Sequence, residues 1–429
     1  MQTTIAPELI DDPRAIAAEE VLRKCVHCGF CLATCPTYNL LGDEKDSPRG
    51  RIYLIKQMVE GHEPTEVTRT HLDRCLTCRN CETTCPSGVE YGHLVDLGRS
   101  MVEEKVPRSG ASKFMRKALL AVLPYSRRVG PLVKMGQLVR PLLPSALASS
   151  IPPRQQVPWA PRETHPRKML VLDGCVQPSM SPATNASAAR VLNAFGITLT
   201  NVASSGCCGA VHFHLNEQKV ARDFMRRNID AWWPFVEAGC EAVITTASGC
   251  GVMVKDYGHV LADDPQYADK AKRISEMSYD IVEVLVKVLQ QEDLTGYEKA
   301  AGAMGKVAYH PPCTLQHGQK LPLVTETLLG RFGFTLSPVA NSHTCCGSAG
   351  TYSIFQPELS HQLRDNKVEA LLADEPDIIA TANIGCQLHI QGGSGRAVVH
   401  WIELIDRLVT DSAPVQPNQP AQPGQQDHA

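Results

Sequence analysis

The chain has 429 residues, a formal net charge of −3, 43% hydrophobic and 20% charged residues, which allows two to four domains with real cores and gives no overall basic excess for nucleic acid. No apolar run approaches the roughly 18 residues of a membrane-crossing helix, and MQTTIAPELIDDPR lacks the basic-then-apolar pattern of a secretory signal. Seventeen cysteines without an export signal argue for a reducing compartment and for metal rather than disulfides.

Residues 10–24 (IDDPRAIAAEEVLRK) read as a helix that delivers the chain to Cys25. There the pattern Cys25-x2-Cys28-x2-Cys31-x3-Cys35-Pro36 begins, and it returns as Cys75-x2-Cys78-x2-Cys81-x3-Cys85-Pro86. This is the bacterial [4Fe–4S] spacing, in which the fourth Cys of each run ligates the other run's cluster. Three thiolates three residues apart wrap three irons of a cube, and the fourth iron takes a ligand from a distant segment. The expected sets are therefore Cys25, Cys28, Cys31 and Cys85 for one cluster, and Cys75, Cys78, Cys81 and Cys35 for the other. Zinc is the alternative for C-x2-C pairs, but two complete runs each closed by Pro favour iron–sulfur.

Between the runs, Ser47 as N-cap and Pro48 at the first position predict a helix over PRGRIYLIKQMVEG, with Ile52, Ile55, Met58 and Val59 on one face. A short helix over 66–74 leads into the second run, and another spans 88–106. Helical spacers of this kind resemble the α-helical ferredoxin modules of respiratory complexes. Arg49 and Arg51 either stabilise reduced clusters or pair with Asp43, Glu44 and Asp46, the pairing being the simpler expectation.

From Lys105 to Ala160 there is no acidic residue, while Arg127, Arg128, Lys134 and other cations alternate with apolar groups. Short basic amphipathic helices separated by Pro124, Pro131, Pro141 and Pro144 suit either an anionic lipid surface or packing on partner subunits. No recognisable nucleic-acid fold accompanies the charge.

The remainder is an internal repeat. Cys175, Cys207, Cys208 and Cys250 are matched by Cys313, Cys345, Cys346 and Cys386, the first three at a constant offset of 138 residues. In the first copy the expected order is strand (MLVLDG), helix (182–195), strand (ITLTNV), helix (215–237), strand (AVITTA). In the second it is KVAYH, a helix over 321–332, FTLSPV, a helix over 357–372, and DIIATA. This alternation implies parallel βαβ units with the cysteines at the carboxyl edge of each sheet. A helix over 401–409 closes the fold, and the tail DSAPVQPNQPAQPGQQDHA should be disordered. The expected architecture is thus α+β and multidomain. An α-helical ferredoxin module with two [4Fe–4S] motifs (1–107) is followed by a basic linker (108–167), two Cys-Cys-Gly α/β repeats (168–296 and 297–411) and a tail (412–429).

Adjacent cysteines followed by Gly do not make a zinc finger. The Gly permits positive φ and close approach of a bulky ligand, so a further iron–sulfur cluster or clusters is the functional reading, against buried structural cysteines or a redox dithiol. Cys240 is left over as a core residue. His27 and His93 read as packing residues near the cysteine runs. His389 makes Cys386-x2-His389, but the first repeat has Met253 in that place. His212, His214, His310 and His343 flank the Cys-Cys-Gly sets as proton carriers or polar packing.

The stretches CVHCGFCLATCPTYNLLGDEKDSPRGRIYLIKQ, CLTCRNCETTCPSGV, NIDAWWP, TASGCG and CTLQH…CCGSAGTY resemble the iron–sulfur subunits of bacterial glycolate oxidases (glycolate dehydrogenases), within the wider Cys-Cys-Gly, heterodisulfide reductase-like family. The likeness runs from Cys25 to about Val409. It implies two flavin-type partner subunits, one of which oxidises the 2-hydroxy acid. It also implies electron delivery to a membrane quinone and a peripheral position on the cytoplasmic face of the inner membrane. Lactate and glycerol-3-phosphate dehydrogenase systems have similar subunits. The family's heterodisulfide reductases end each set in C-x2-C, whereas Cys250 and Cys386 stand alone. The chain has no G-x-G-x-x-G after a strand and no P-loop, so no catalytic residue for substrate oxidation is expected in it.

Overall fold

The computed structural model describes residues 1–143, 151–155, 157 and 163–411; Pro144 and the tail from residue 412 lie outside them. The first helix, α1 (Pro13–Lys24), begins three residues later than its apolar pattern. Asp12 caps it by accepting from Arg14 N–H, and Pro13 fixes the first turn. α2 (Pro48–Val59) starts as its sequence dictates, with Ser47 Oγ accepting from Gly50 N–H at 2.9 Å. Its Ile52, Ile55, Met58 and Val59 are all buried. They meet α1, α3 (Glu66–Asp73) and α4 (Tyr91–Lys105) in a core with Leu22, Leu72, Leu94 and Val95. Gly98 lets α4 approach, since a Cβ there would stand 2.6 Å from Ile55. The ends of α1 and α3 thereby present Cys25 and Cys75 side by side.

Two basic helices follow, α5 (Gly110–Val122) and α6 (Ser126–Val139). Pro131 lies inside α6 instead of separating two helices. A proline removes one N–H bond, and the bonds on either side suffice to continue a helix of this length. Leu132, Met135, Leu138 and Leu142 form an exposed apolar row, while Val129 faces inward.

Each repeat is a four-stranded, wholly parallel sheet. In the first, β1 (Arg167–Val171), α7 (Pro182–Ala194), β2 (Ile197–Asn201), α8 (Gln218–Glu237), β3 (Val243–Thr245), α9 (Ser248–Lys255), β4 (Ser278–Asp280) and α10 (Ile281–Val288) give the order β2-β1-β3-β4. The second has β5 (Lys306–His310), α11 (Val324–Arg331), β6 (Thr335–Leu336), α12 (Pro357–Leu372), β7 (Ile378–Thr381), α13 (Ile384–Ser394), β8 (Val398–His400) and α14 (Trp401–Asp411), in the order β6-β5-β7-β8. The fourth strand of each copy was not foreseen: three residues running straight into a helix carry no strand periodicity of their own.

The copies are joined reciprocally. α10 of the first packs on α11 of the second, and α14 of the second packs on α7 of the first. One continuous core therefore spans both sheets, with Val171, Ile244, Leu285, Val307, Phe332, Ala380 and Trp401 in it. Arg190 and Ser187 of α7 close the second junction on Asp406. Asp280 N-caps α10 at the first, with Glu283 completing a capping box.

Candidate metal centres and their setting

In both cysteine runs the backbone turns left-handed at the same places. His27 (φ 60°) and Gly29 (φ 88°) in the first correspond to Thr77 (φ 52°) and Arg79 (φ 59°) in the second. Three of these four are not glycine, so the conformation costs free energy and persists only where the surroundings impose it. Such turns aim successive N–H groups inward as an anion cradle, and Thr77 N–H already donates to Cys75 Sγ at 3.4 Å.

Two cavities result. Cys25, Cys28, Cys31 and Cys85 line one, of about 430 Å³ with its opening to solvent, together with Ile52, Pro86 and Tyr91. Cys35, Cys75, Cys78 and Cys81 line the other, of about 300 Å³, together with Arg51, Leu76 and Tyr91. Cys81 reaches the wall of both. The fourth Cys of each run thus stands with the other run's three. Burial, helped by neighbouring Cys25, Cys28 and Cys35, pushes the Cys31 thiol up to about 11. Thiolates in such a group need cationic metal between them, which is what a four-thiol donor set around a small cavity suits.

Charge around the second cavity comes from residues outside the motif. Arg51 is 1% exposed; it donates to His71 O at 2.7 Å and Thr37 Oγ1 at 3.1 Å, and its Nη1 lies 4.0 Å from Cys35 Sγ. Arg49 pairs with Glu44 and Arg51 with Asp46, so the ion-pair expectation holds for both, with Arg51 also touching a cysteine. Arg99, which sequence reasoning missed, donates to Leu72 O, Cys75 O and Thr77 Oγ1 and so holds the approach to the second run. Its place in a helix otherwise read as a spacer gave no signal.

In the first repeat the thiols stand near enough to influence one another in sequence, Cys175 with Cys207, Cys207 with Cys208 and Cys208 with Cys250. In the second, Cys313 Sγ lies 3.7 Å from Cys345 Sγ, and the chain continues to Cys346 and Cys386. The neighbouring thiol's hydrogen bond, then burial, pushes Cys175 and Cys313 well above the usual thiol range. Gly209 (φ 95°) and Gly347 (φ 87°) take the left-handed turn that their motif implies. A Cβ at Gly347 would stand 2.5 Å from Ser360 O. All eight cysteines sit beyond the carboxyl ends of their strands. Cys240 donates to Ala242 O, away from both sets.

The helical part docks on both repeats. Asn80, next to Cys81, donates to Thr34 O and to His343 O, and Thr83 meets His317. Cys78 packs against Cys313, Cys345 and Leu76 in one apolar cluster. On the other side Arg79 pairs with Asp256 at 2.9 Å, and His93 stacks on His259 at 4.1 Å. Burial opposes the Asp256 charge, but His93, whose Nε2 stands 3.7 Å away, and Arg79 hold its carboxyl at about 2. These groups, with Cys78, Thr314 and Gly318, border a cleft of about 470 Å³, within the size range of small-ligand sites.

His27 is exposed. His214 pairs with Asp96, His212 stacks on Phe224, and His389 bonds Ser360 and not a cysteine neighbour. His310 is fully buried, with no hydrogen-bond partner for either ring nitrogen among the described residues.

Comparison with known proteins agrees with this division. A 4Fe-4S dicluster domain model matches residues 21–89, and a cysteine-rich (CCG) domain model matches 169–255 and again 307–391. The chain is 51% identical to the glycolate oxidase iron–sulfur subunit of Escherichia coli K12, over 95% of this chain and 99% of that protein. It is 32% identical to a probable glycolate oxidase iron–sulfur subunit of Bacillus subtilis, over 90% of this chain and 94% of that protein. A lactate utilization protein A of Geobacillus thermodenitrificans is 30% identical over 52% of this chain.

Proposed function

Because the chain belongs to the family of glycolate oxidase iron–sulfur subunits, we propose that it passes electrons from flavin-bearing partner subunits, where glycolate becomes glyoxylate, towards a membrane quinone. Its dicluster domain carries two [4Fe–4S] clusters, and the ligand sets we assign are Cys25, Cys28, Cys31 and Cys85, and Cys35, Cys75, Cys78 and Cys81. Bound there, the clusters supply one-electron transfer. A 2-hydroxy acid gives up a hydride, which a flavin accepts and thiolate-bound iron does not, so substrate oxidation falls to the partners.

The observation that carries this reading is a line of thiols running from surface to interior. Cys28 is exposed, flanked by Val26 and Phe30 at 68% and 64% exposure; such an apolar collar suits a partner surface. Cys81 lines both cavities, and Cys78 packs against the apolar cluster that includes Cys313 and Cys345. Around it, Arg51 and Arg99 supply positive charge, and α2 and α4 exclude water. The cleft beside Cys78 is where we place the acceptor. We further propose the Cys-Cys-Gly sets as holders of additional iron–sulfur centres, and the boundaries near residues 107, 167, 296 and 411 as those of the domains.

Glycolate should bleach the visible absorption of this subunit within the time of turnover when the flavin subunits are present, and not without them. Bleaching by glycolate in their absence, or turnover of a disulfide by this chain alone, would overturn the assignment. A peripheral attachment to anionic membrane is read from the exposed row on α6, beside exposed Arg127, Arg128 and Lys134. Each cation near such a surface contributes about 1 kcal/mol. Reversing those three to Glu is expected to abolish sedimentation with phosphatidylserine-containing vesicles; unchanged sedimentation would remove lipid and leave a partner subunit as what covers the row.

A further inference from the structure

The two Cys-Cys-Gly sets are built on one plan, yet the second contains groups that the first lacks. The Asp377 N–H bond to Lys306 O repeats the Glu241 N–H bond to Lys168 O. This fixes the correspondence of β5 with β1, with Cys313 answering Cys175. In that register His310 stands where the first repeat has Leu172. His310 is 0% exposed, and among the described residues neither Nδ1 nor Nε2 has a hydrogen-bond partner. A buried imidazole with both nitrogens unsatisfied loses hydration with nothing in return. A ring nitrogen of His310 and the Sγ atoms of Cys346 and Cys386 all lie within 4.8 Å of one another. Leu172, also buried, offers the first set no donor.

A second difference points the same way. Ala221 O faces Gly209 as Ser360 O faces Gly347, so along the following helix Lys367 answers Asn228. Asn228 bonds Cys207 O and Tyr257. Lys367 is 2% exposed, donates to Asn341 O at 2.7 Å, and couples electrostatically to Cys313, Cys345, Cys346 and Cys386. Burial pulls the Lys367 ammonium below its usual range while the four cysteines oppose that pull, so its charge is best matched where those cysteines are anionic, as metal ligands are.

We propose that His310 is a nitrogen ligand, beside Cys346 and Cys386, to the metal centre of the second repeat, while the first repeat's set is sulfur only. The proposal rests on the reading of the Cys-Cys-Gly sets as iron–sulfur sites and goes beyond it by making the two inequivalent. Both sets keep four thiols, so His310 adds a neutral donor without adding negative charge, and an iron site held in part by imidazole lies at higher potential than one held by thiolate alone. His310 and Lys367 together make the second set the better electron acceptor of the two, and its Cys313 and Cys345 belong to the apolar cluster that Cys78 packs against.

The test uses the full chain purified anaerobically and labelled with ¹⁵N-histidine, with iron, zinc and sulfide measured on each sample. Pulsed EPR across a reductive titration should show a nitrogen coupling that changes on ¹⁵N labelling, is lost in His310→Leu, and is lost in His310→Cys while metal content is kept. The His310→Cys centre should titrate at a lower potential than wild type. Should His310→Leu fail to fold, His310→Cys alone decides, since it restores a ligand. A histidine coupling that survives both variants, or metal beyond the two dicluster sites with no such coupling, overturns the role of His310. No metal beyond those two sites overturns instead the reading of the Cys-Cys-Gly sets on which it rests.

Discussion

Replacing Cys85 with alanine is expected to destroy the cluster of the first cysteine run and to leave that of its own run in place. Iron should fall by about four per chain, and the EPR spectrum of the reduced protein should match that of Cys28→Ala. Cys28 is the reference because it lines only the first cavity, which Cys85 shares with Cys25 and Cys31. The mirror variant, Cys35→Ala, should match Cys78→Ala, since both line the second cavity. Alanine is preferred to serine, whose oxygen can substitute as a ligand. The physical basis is the fold of the spacers. α2 lies in the spacer between the runs, and the turn after Cys31 and the short helix Asn80–Thr84 lead each fourth cysteine to the neighbouring cavity. A Cys85→Ala spectrum that matched Cys78→Ala would mean uncrossed ligation, and the assignment of both sets would have to be exchanged.

The proposed crossing was an expectation of the spacing, and the cavity linings are consistent with it: Cys85 lines the cavity of the first run and Cys35 that of the second. The Ser47-Pro48 start of α2, its buried face, and the alternation of strand and helix in the repeats were legible because each rests on a local rule with a period or a cap. What the sequence left dark was non-local. Arg99 sits mid-helix, and only the folded chain shows that its guanidinium reaches the carbonyls of Leu72 and Cys75. β4 and β8 are too short to show a period. His310 was visible as a flanking histidine, but its correspondence to Leu172 needed the strand register. Pro131 shows a local rule overruled, since α6 runs through it.

Asp46→Ala is expected to destabilise the helical domain by about 3–5 kcal/mol, the range for removing one partner of a buried ion pair. Asp46 is fully buried and accepts from Arg51 at 3.3 Å and Arg74 at 3.0 Å, with His71 Nδ1 standing 3.0 Å away. Its backbone carbonyl also accepts from Thr37 Oγ1 at 3.0 Å, so the segment before α2 is tied to the residues after Cys35. Without the carboxylate, Arg51 keeps its bonds to His71 O and Thr37 but loses its counter-charge in a place from which water is excluded. Glu44→Ala is the control. It breaks the half-exposed pair with Arg49, for which about 1 kcal/mol or less is expected. Asp46→Asn should fall between the two, because it keeps an acceptor and gives up the charge. The shift in urea midpoint of the holoprotein measures all three. If Asp46→Ala cost no more than Glu44→Ala, the anionic sulfur of Cys35, 4.0 Å from Arg51, would be the true counter-charge. Arg51 would then be bound to the cluster site first and to Asp46 second.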